Sequence, residues 1–208
     1  GTAKKMKMTV DSVLANSVYP TWHPQLPLVA FSSNNTGQVF HLVDRSKVEV
    51  IDYASDLVLY DVEESAITNV LRTKDYLETF PHWSPDGKRL FFARAYTPQL
   101  AQVPDSVRDD YVITLIDSLH YDVMSMTFDP QTRTFGTPQL EVGCASNKRS
   151  AAVPRVSPDG NYVLYTEGDR GQFHIWHPEA DLYVKDLRTD SVRCLTNASG
   201  LGPDSYNT

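Results

Sequence analysis

Short apolar runs recur along the chain, each behind the same proline-containing phrase. Leu28-Val29-Ala30-Phe31 follows Tyr19-Pro20-Thr21-Trp22-His23-Pro24. Leu90-Phe91-Phe92 follows Phe80-Pro81-His82-Trp83-Ser84-Pro85-Asp86-Gly87. Tyr162-Val163-Leu164-Tyr165 follows Val153-Pro154-Arg155-Val156-Ser157-Pro158-Asp159-Gly160. A turn followed by a β-run, repeated at long intervals, predicts a repeat protein of β-strands. Pro24, Pro85 and Pro158 lie 61 and 73 residues apart. A four-stranded unit takes about 40–45 residues, so the units carry insertions.

Behind each run comes a hairpin. Ser55–Val62 with Ala66–Leu71, and Ala180–Leu187 with Ser191–Thr196, alternate with period two, as half-buried strands do. Val123–Pro130, a turn at Gln131-Thr132-Arg133, and Pro138–Val142 make the equivalent in the second unit. Asp61 and Asp186 repeat within these hairpins, where side-chain to backbone hydrogen bonds cap turns. Helical spacing is nearly absent. The apolar core of Ser106–Leu119 reads as a strand, and the polar, proline-containing stretch 96–110 reads as an exposed, mobile excursion. Its deletion is expected to leave the melting temperature nearly unchanged.

The 208 residues suffice for one sizeable core, and 41% hydrophobic with 22% charged residues is ordinary for a globular chain. A net charge of −7 argues against nucleic acid as a partner. The one basic cluster, Lys4-Lys5-Met6-Lys7, reads as a solvated terminus. No stretch has the apolar length of a membrane helix. Cys144 and Cys194 lack metal or disulfide spacing and are expected to be buried free thiols.

Trp83-Ser84-Pro85-Asp86-Gly87 and Val156-Ser157-Pro158-Asp159-Gly160, each with its following β-run, resemble the repeat of TolB-like β-propellers. They also resemble the propeller domains of prolyl oligopeptidase- and dipeptidyl-peptidase-type enzymes. The first unit keeps only Trp22 and Pro24 of the phrase. The resemblance implies an all-β propeller of four-stranded antiparallel blades, with about three blades here. Residues 1–16 are expected to be a flanking strand, 17–80 the first blade and 81–152 the second, with its insertion at 96–110. Residues 153–199 form the third, and 200–208 lead into a further blade. Trp22, Pro24, Trp83, Pro85, Asp86, Gly87, Pro158, Asp159 and Gly160 are expected to be structural, with both tryptophans wedged between blades. His23 and His82 read as aligned features of the repeat.

No Gly-x-Ser-x-Gly elbow, Walker loop or Gly-x-Gly-x-x-Gly fingerprint occurs. No catalytic residue, metal or cofactor is expected. Gln38 and His41 in the first unit repeat as Gln172 and His174 in the third. These four, with Arg170 as an anion contact, are the candidate ligand-binding residues, expected to face the propeller channel. The leading reading is a non-catalytic scaffold for a protein or peptide. The alternatives are the propeller of a serine peptidase and a glycan-binding or glycan-cleaving propeller. The partners expected are a protein or peptide, with no nucleic acid, no membrane span, and homo-oligomers through open blade edges. The resemblance implies an exported, periplasmic protein, with the cytoplasm as the alternative.

Overall fold

In a computed structural model, residues 16–34, 39–45, 47–52, 54–104 and 107–195 are described. They are nearly all antiparallel β-structure. The first sheet is ordered β1(Asn16–Trp22), β2(Leu28–Asn34), β5(Ser55–Asp61), β6(Ala66–Leu71). A separate hairpin, β3(Val39–Asp44) and β4(Lys47–Ile51), is inserted between β2 and β5. The second sheet runs β7(Tyr76–Trp83), β8(Arg89–Tyr96), β9(Tyr121–Asp129). Its outer edge is split: β10(Thr134–Phe135) and β11(Gln139–Val142) both pair with β9. The third sheet is β12(Ser150–Val156), β13(Tyr162–Gly168), β14(Asp181–Asp186), β15(Val192–Cys194). Neighbours in sequence pair in space, so each sheet is a meander closed by short turns.

The proline turn joins the first two strands of each sheet, so the apolar run after it is the second strand, not the first. The strand before it escapes a simple reading because it contains a proline. In each sheet that proline sits at a β-bulge, where no ladder donor is required. The boundaries move accordingly. The second sheet begins at Tyr76 and the third at Ser150, several residues before the expected divisions. The turns obey one chemistry. Ser84 donates through Oγ to Asp86 (2.6 Å), and the Arg89 amide donates back to that hydroxyl (2.9 Å). Ser157, Asp159 and Tyr162 repeat the set. Gly87 and Gly160 take φ of 70° and 73°, left-handed values that cost other residues energy. In the first sheet the His23 ring replaces the serine: Nδ1 accepts from the Gln25 and Leu26 amides. His23 is therefore equivalent to Ser84 and Ser157. His82 corresponds to Thr21 and Arg155, two positions earlier in the phrase than His23, with which the sequence reading aligned it. Asp61, Asp129 and Asp186 each cap the later hairpin of their sheet through a backbone amide.

The sheets pack face to face. Leu28, Ala30, Leu57 and Leu59 of the first meet Trp83, Leu90, Phe92 and Met126 of the second. Phe91 and Val123 on the reverse face meet Ala151, Val163 and Tyr165 of the third. Strands buried on both faces explain the continuous apolar runs. Trp83 is 4% exposed, wedged against Phe128, Phe135 and His23. Trp22, its counterpart, is 63% exposed, contrary to expectation. It stands on the face of the first sheet that turns away from the second. Cys144 is a buried free thiol, but Cys194 is exposed, because β15 is an edge strand.

Residues 108–119 correct the sequence reading. They form α1(Arg108–Leu115) and a short 3-10 turn, Ile116–Ser118, rather than a strand. Ile116 and Leu119 are buried three residues apart, as one helical face would be, with Leu115 packed beside them. That packing overrides the β-propensity of the Val112-Ile113 pair. The stretch before it is not a free excursion either. Thr97 is buried, and Leu100 enters the core with Leu77 and Phe80. Deleting 96–110 should therefore lower the melting temperature by many degrees.

Trp83→Ala is expected to cost about 3–5 kcal/mol, because its neighbours are close-packed on all sides. Trp22→Ala should stay within about 0.5 kcal/mol. Urea unfolding of the two variants measures the contrast, and equal costs would contradict this packing.

Candidate functional site: a pocket beside the first strands of the three sheets

Each sheet carries its excursion at the same place, between its second and third strands: β3–β4, the helical stretch between β8 and β9, and residues 169–180. All three meet at one rim. Loop 169–180 makes most of the connections. Gln172 donates through Nε2 to Asp52 (2.7 Å) and accepts from the Tyr121 hydroxyl (2.8 Å). Asp52, fully buried, also accepts from Tyr19 Oη (3.0 Å) and Asn34 Nδ2 (2.7 Å). The Gly171 amide donates to the Leu119 carbonyl (2.6 Å), and Trp176 Nε1 to the Val48 carbonyl (3.2 Å). Arg170 pairs with Asp117 and Asp169. Burial first, then the Asp52 carboxylate, pushes the Tyr19 and Tyr121 phenols far up, so both stay donors.

Beside this knot lies a histidine clasp. The His177 ring bonds Asp169 through Nδ1 and Glu49 through Nε2. Burial opposes its charge, but the two carboxylates win and raise its pKa. His174 goes the other way: burial first, then the neighbouring His177, lowers it to about 4.

Against the inner side of the knot opens a pocket of about 370 Å³. Its wall is built three times from one device. Tyr19, Phe80 and Val153 lie in the left-handed region at φ of 55°, 54° and 53°, each just before a proline and within the bulge of β1, β7 or β12. For a bulky or β-branched residue this conformation costs about 1–2 kcal/mol. The residue after each proline, Thr21, His82 or Arg155, lines the pocket. Phe173 reaches in from the third excursion. Its ring meets Phe80 edge-on at 5.3 Å and Tyr19 at 5.9 Å, forming an aromatic wall. Burial first, then the Arg155 charge, lowers His82 to about 4, while a hydrogen bond to the Val156 backbone opposes the shift. The ring is therefore neutral at ordinary pH.

Of the residues singled out from sequence, Gln172 and His174 are each 3% exposed and belong to the knot. Both ring nitrogens of His174 are engaged, by the Thr166 hydroxyl and the Gly171 carbonyl. These two therefore do not face an open channel: Gln172 joins the sheets, and His174 braces the loop that carries Gln172 against β13. Arg170 is tied to two aspartates. Gln38 lies outside the described residues. His41 lies in β3, opposite Glu49 in the register. The pocket's own Thr21, His82, Arg155 and Phe173 were not selected. The signal was present, since the three phrases align to put Thr21, His82 and Arg155 in one column. Among the described residues no cluster of His, Cys, Asp and Glu could hold a metal, and no helix is long and apolar enough to cross a membrane.

No family model and no curated protein matches the chain. Among solved structures it is similar to a puromycin-hydrolyzing peptidase of Mycobacterium tuberculosis: TM-score 0.54, 13% identity, over 88% of this chain and 24% of that one. A prolyl endopeptidase gives 0.54 and 15%, over 88% and 22%. A puromycin hydrolase gives 0.51 and 13%, over 91% and 24%. The matching regions are the β-propeller domains of these peptidases. The likeness is one of fold, and the chain spans about a quarter of their length.

Gln172→Leu should cost about 2–3 kcal/mol, because it strips a partner from buried Asp52 and from the Tyr121 hydroxyl. Arg170→Ala, at a partly exposed pair, should cost under about 1 kcal/mol. Guanidinium titration compares them, and a neutral Gln172→Leu would dissolve the knot as a structural element. The pH dependence has two limbs. His174 and His82, lowered to about 4, withhold protons that the unfolded chain takes up near pH 6.5. Stability is thus lost as pH falls from 6.5 to about 4. His177, raised, contributes fully below 6.5, and its contribution is lost as pH rises through its folded value. The stability difference between the protein and His177→Asn should therefore shrink above pH 6.5. A difference that stays flat from pH 5 to 9 would contradict the clasp.

Proposed function

We propose that the chain is part of a β-propeller, each of its three sheets one blade, that binds a peptide or protein segment in the axial pocket and performs no chemistry itself. The three-fold repetition of a strained residue, a proline and a pocket-lining side chain carries this reading. Strain held at the same point in the first strand of each sheet presents three side chains to one space. The pocket falls within the usual range for small-ligand sites, about 300–1,000 Å³. The Ser-Pro-Asp-Gly phrases support kinship with TolB-like repeat proteins, and with it an exported protein. A second reading, favoured by the likeness in fold to peptidase propellers, is that the chain serves a serine peptidase by admitting substrate along the axis.

The test is binding by the purified chain. Acetylated tripeptides added to isotopically labelled protein should shift the resonances of Thr21, His82 and Phe173, without hydrolysis. Thr21→Trp, which fills the pocket from a partly exposed position, should abolish those shifts and keep the melting temperature. Cleavage of the peptides, or shifts that survive Thr21→Trp, would overturn the reading.

A further inference from the structure

We propose that the axial pocket recognises a carboxylate carried on an apolar body, and that its ligand is the C-terminal residue of a peptide; this rests on the binding reading above. Arg155 is the first reason. In this acidic chain, Arg72, Arg89, Arg94, Arg133, Arg149 and Arg188 each pair with a carboxylate. Arg155 instead lines the pocket, where Nη1 donates to the carbonyl of Pro154 (2.8 Å). Partial desolvation beside the pocket wall lowers its pKa although the side chain reaches solvent, and among the described residues no acid pairs with it. A guanidinium with donors to spare fits a carboxylate in two-pronged fashion.

The rest of the lining agrees. Among the described residues no aspartate or glutamate lines it, so a cationic ligand or a peptide amine meets no counter-charge there. His82 is a neutral imidazole and Thr21 a hydroxyl, both able to bond a carboxylate without adding charge. A phosphate would call for clustered backbone N–H donors. Pro20 and Pro81, which lack that group, occupy the wall instead. Tyr19, Phe80, Phe173 and Val153 supply an apolar surface for a side chain beside the charge. About 370 Å³ holds one or two residues, which suits a chain end better than a continuous segment.

The experiment uses this chain with three probes: acetyl-Ala-Ala-Phe as the free acid, the same peptide as its C-terminal amide, and 3-phenylpropionate. Calorimetry should show the acid binding at least about tenfold tighter than the amide, as a charge-assisted hydrogen bond implies. Arg155→Gln, on an exposed side chain, should erase that preference while the melting temperature is kept. Phenylpropionate should bind more weakly than the peptide acid; if it binds as tightly, the ligand is a small free acid and the peptide assignment is wrong. If acid and amide bind alike, or Arg155→Gln retains the preference, the carboxylate inference fails and the binding reading stands. If no probe binds and the His82 resonances do not move, both fail together.

Discussion

Gln172 is the side chain on which the assembly of the three sheets turns. It leaves the third sheet, donates to Asp52 from the first and accepts from Tyr121 in the second. Such a contact is demanding, since each of these groups is buried and would be costly to leave unpaired. Apolar packing between sheets is tolerant of small slides; a hydrogen-bonded amide is not. The interfaces supply the bulk of the burial, and the knot fixes how the sheets are set against one another. Tyr19 shows the connection to the site. Its hydroxyl belongs to the knot, through Asp52, and its ring belongs to the pocket wall. Its backbone is one of the three strained bulges.

The strain has a consistent physical setting. Proline removes a backbone donor and is poorly tolerated inside a sheet. Placed at a bulge, it breaks no ladder hydrogen bond, but the bulge forces the preceding residue to positive φ. Glycine would take that position without strain. Tyr19, Phe80 and Val153 are found there instead, and the first two pack ring to ring at 4.5 Å. The aromatic contact gives back energy that the backbone loses, and the residue after each proline lines the pocket. A Gly at these positions would relax the backbone and leave the wall open.

Much of the fold was legible because its determinants are local. The Ser-Pro-Asp-Gly turns, the alternating hairpins and the capping aspartates act over a few residues, and they appear where the sequence puts them. The first strand of each sheet was missed because its proline argues against a strand unless the bulge is known. Residues 108–119 were misread because Val112-Ile113-Thr114 favours a strand by propensity, whereas the burial of Ile116 and Leu119 is a tertiary fact. The candidate site was legible only in part. Gln172 and His174 stood out as polar residues kept in a repeat, and they do have a shared role. Both hold the third excursion in place, but only Gln172 joins sheets far apart in sequence, being separated from Asp52 by 120 positions, whereas His174 bonds within its own sheet and loop. Polarity marked the junction, and nothing local could distinguish a junction from a ligand site.

The two sides of the junction between the sheets differ in kind. At the rim of the excursions, Gln172, Asp52, Tyr19 and Tyr121 bond one another, and the His177 clasp adds a ring held by two acids. This side is closed. Toward the bulges, the groups are fewer, partly exposed and incompletely paired: a neutral imidazole, a hydroxyl and a guanidinium beside an aromatic wall. A ligand that entered would meet a rigid floor, since Phe173 is carried by the same loop that carries Gln172. Preorganisation of that kind favours binding because little ordering remains to be done when the ligand arrives. The knot therefore acts on the pocket at a distance. Loosening Gln172 would free the loop that positions Phe173, and the pocket would lose its shape before any of the residues facing the ligand had been changed.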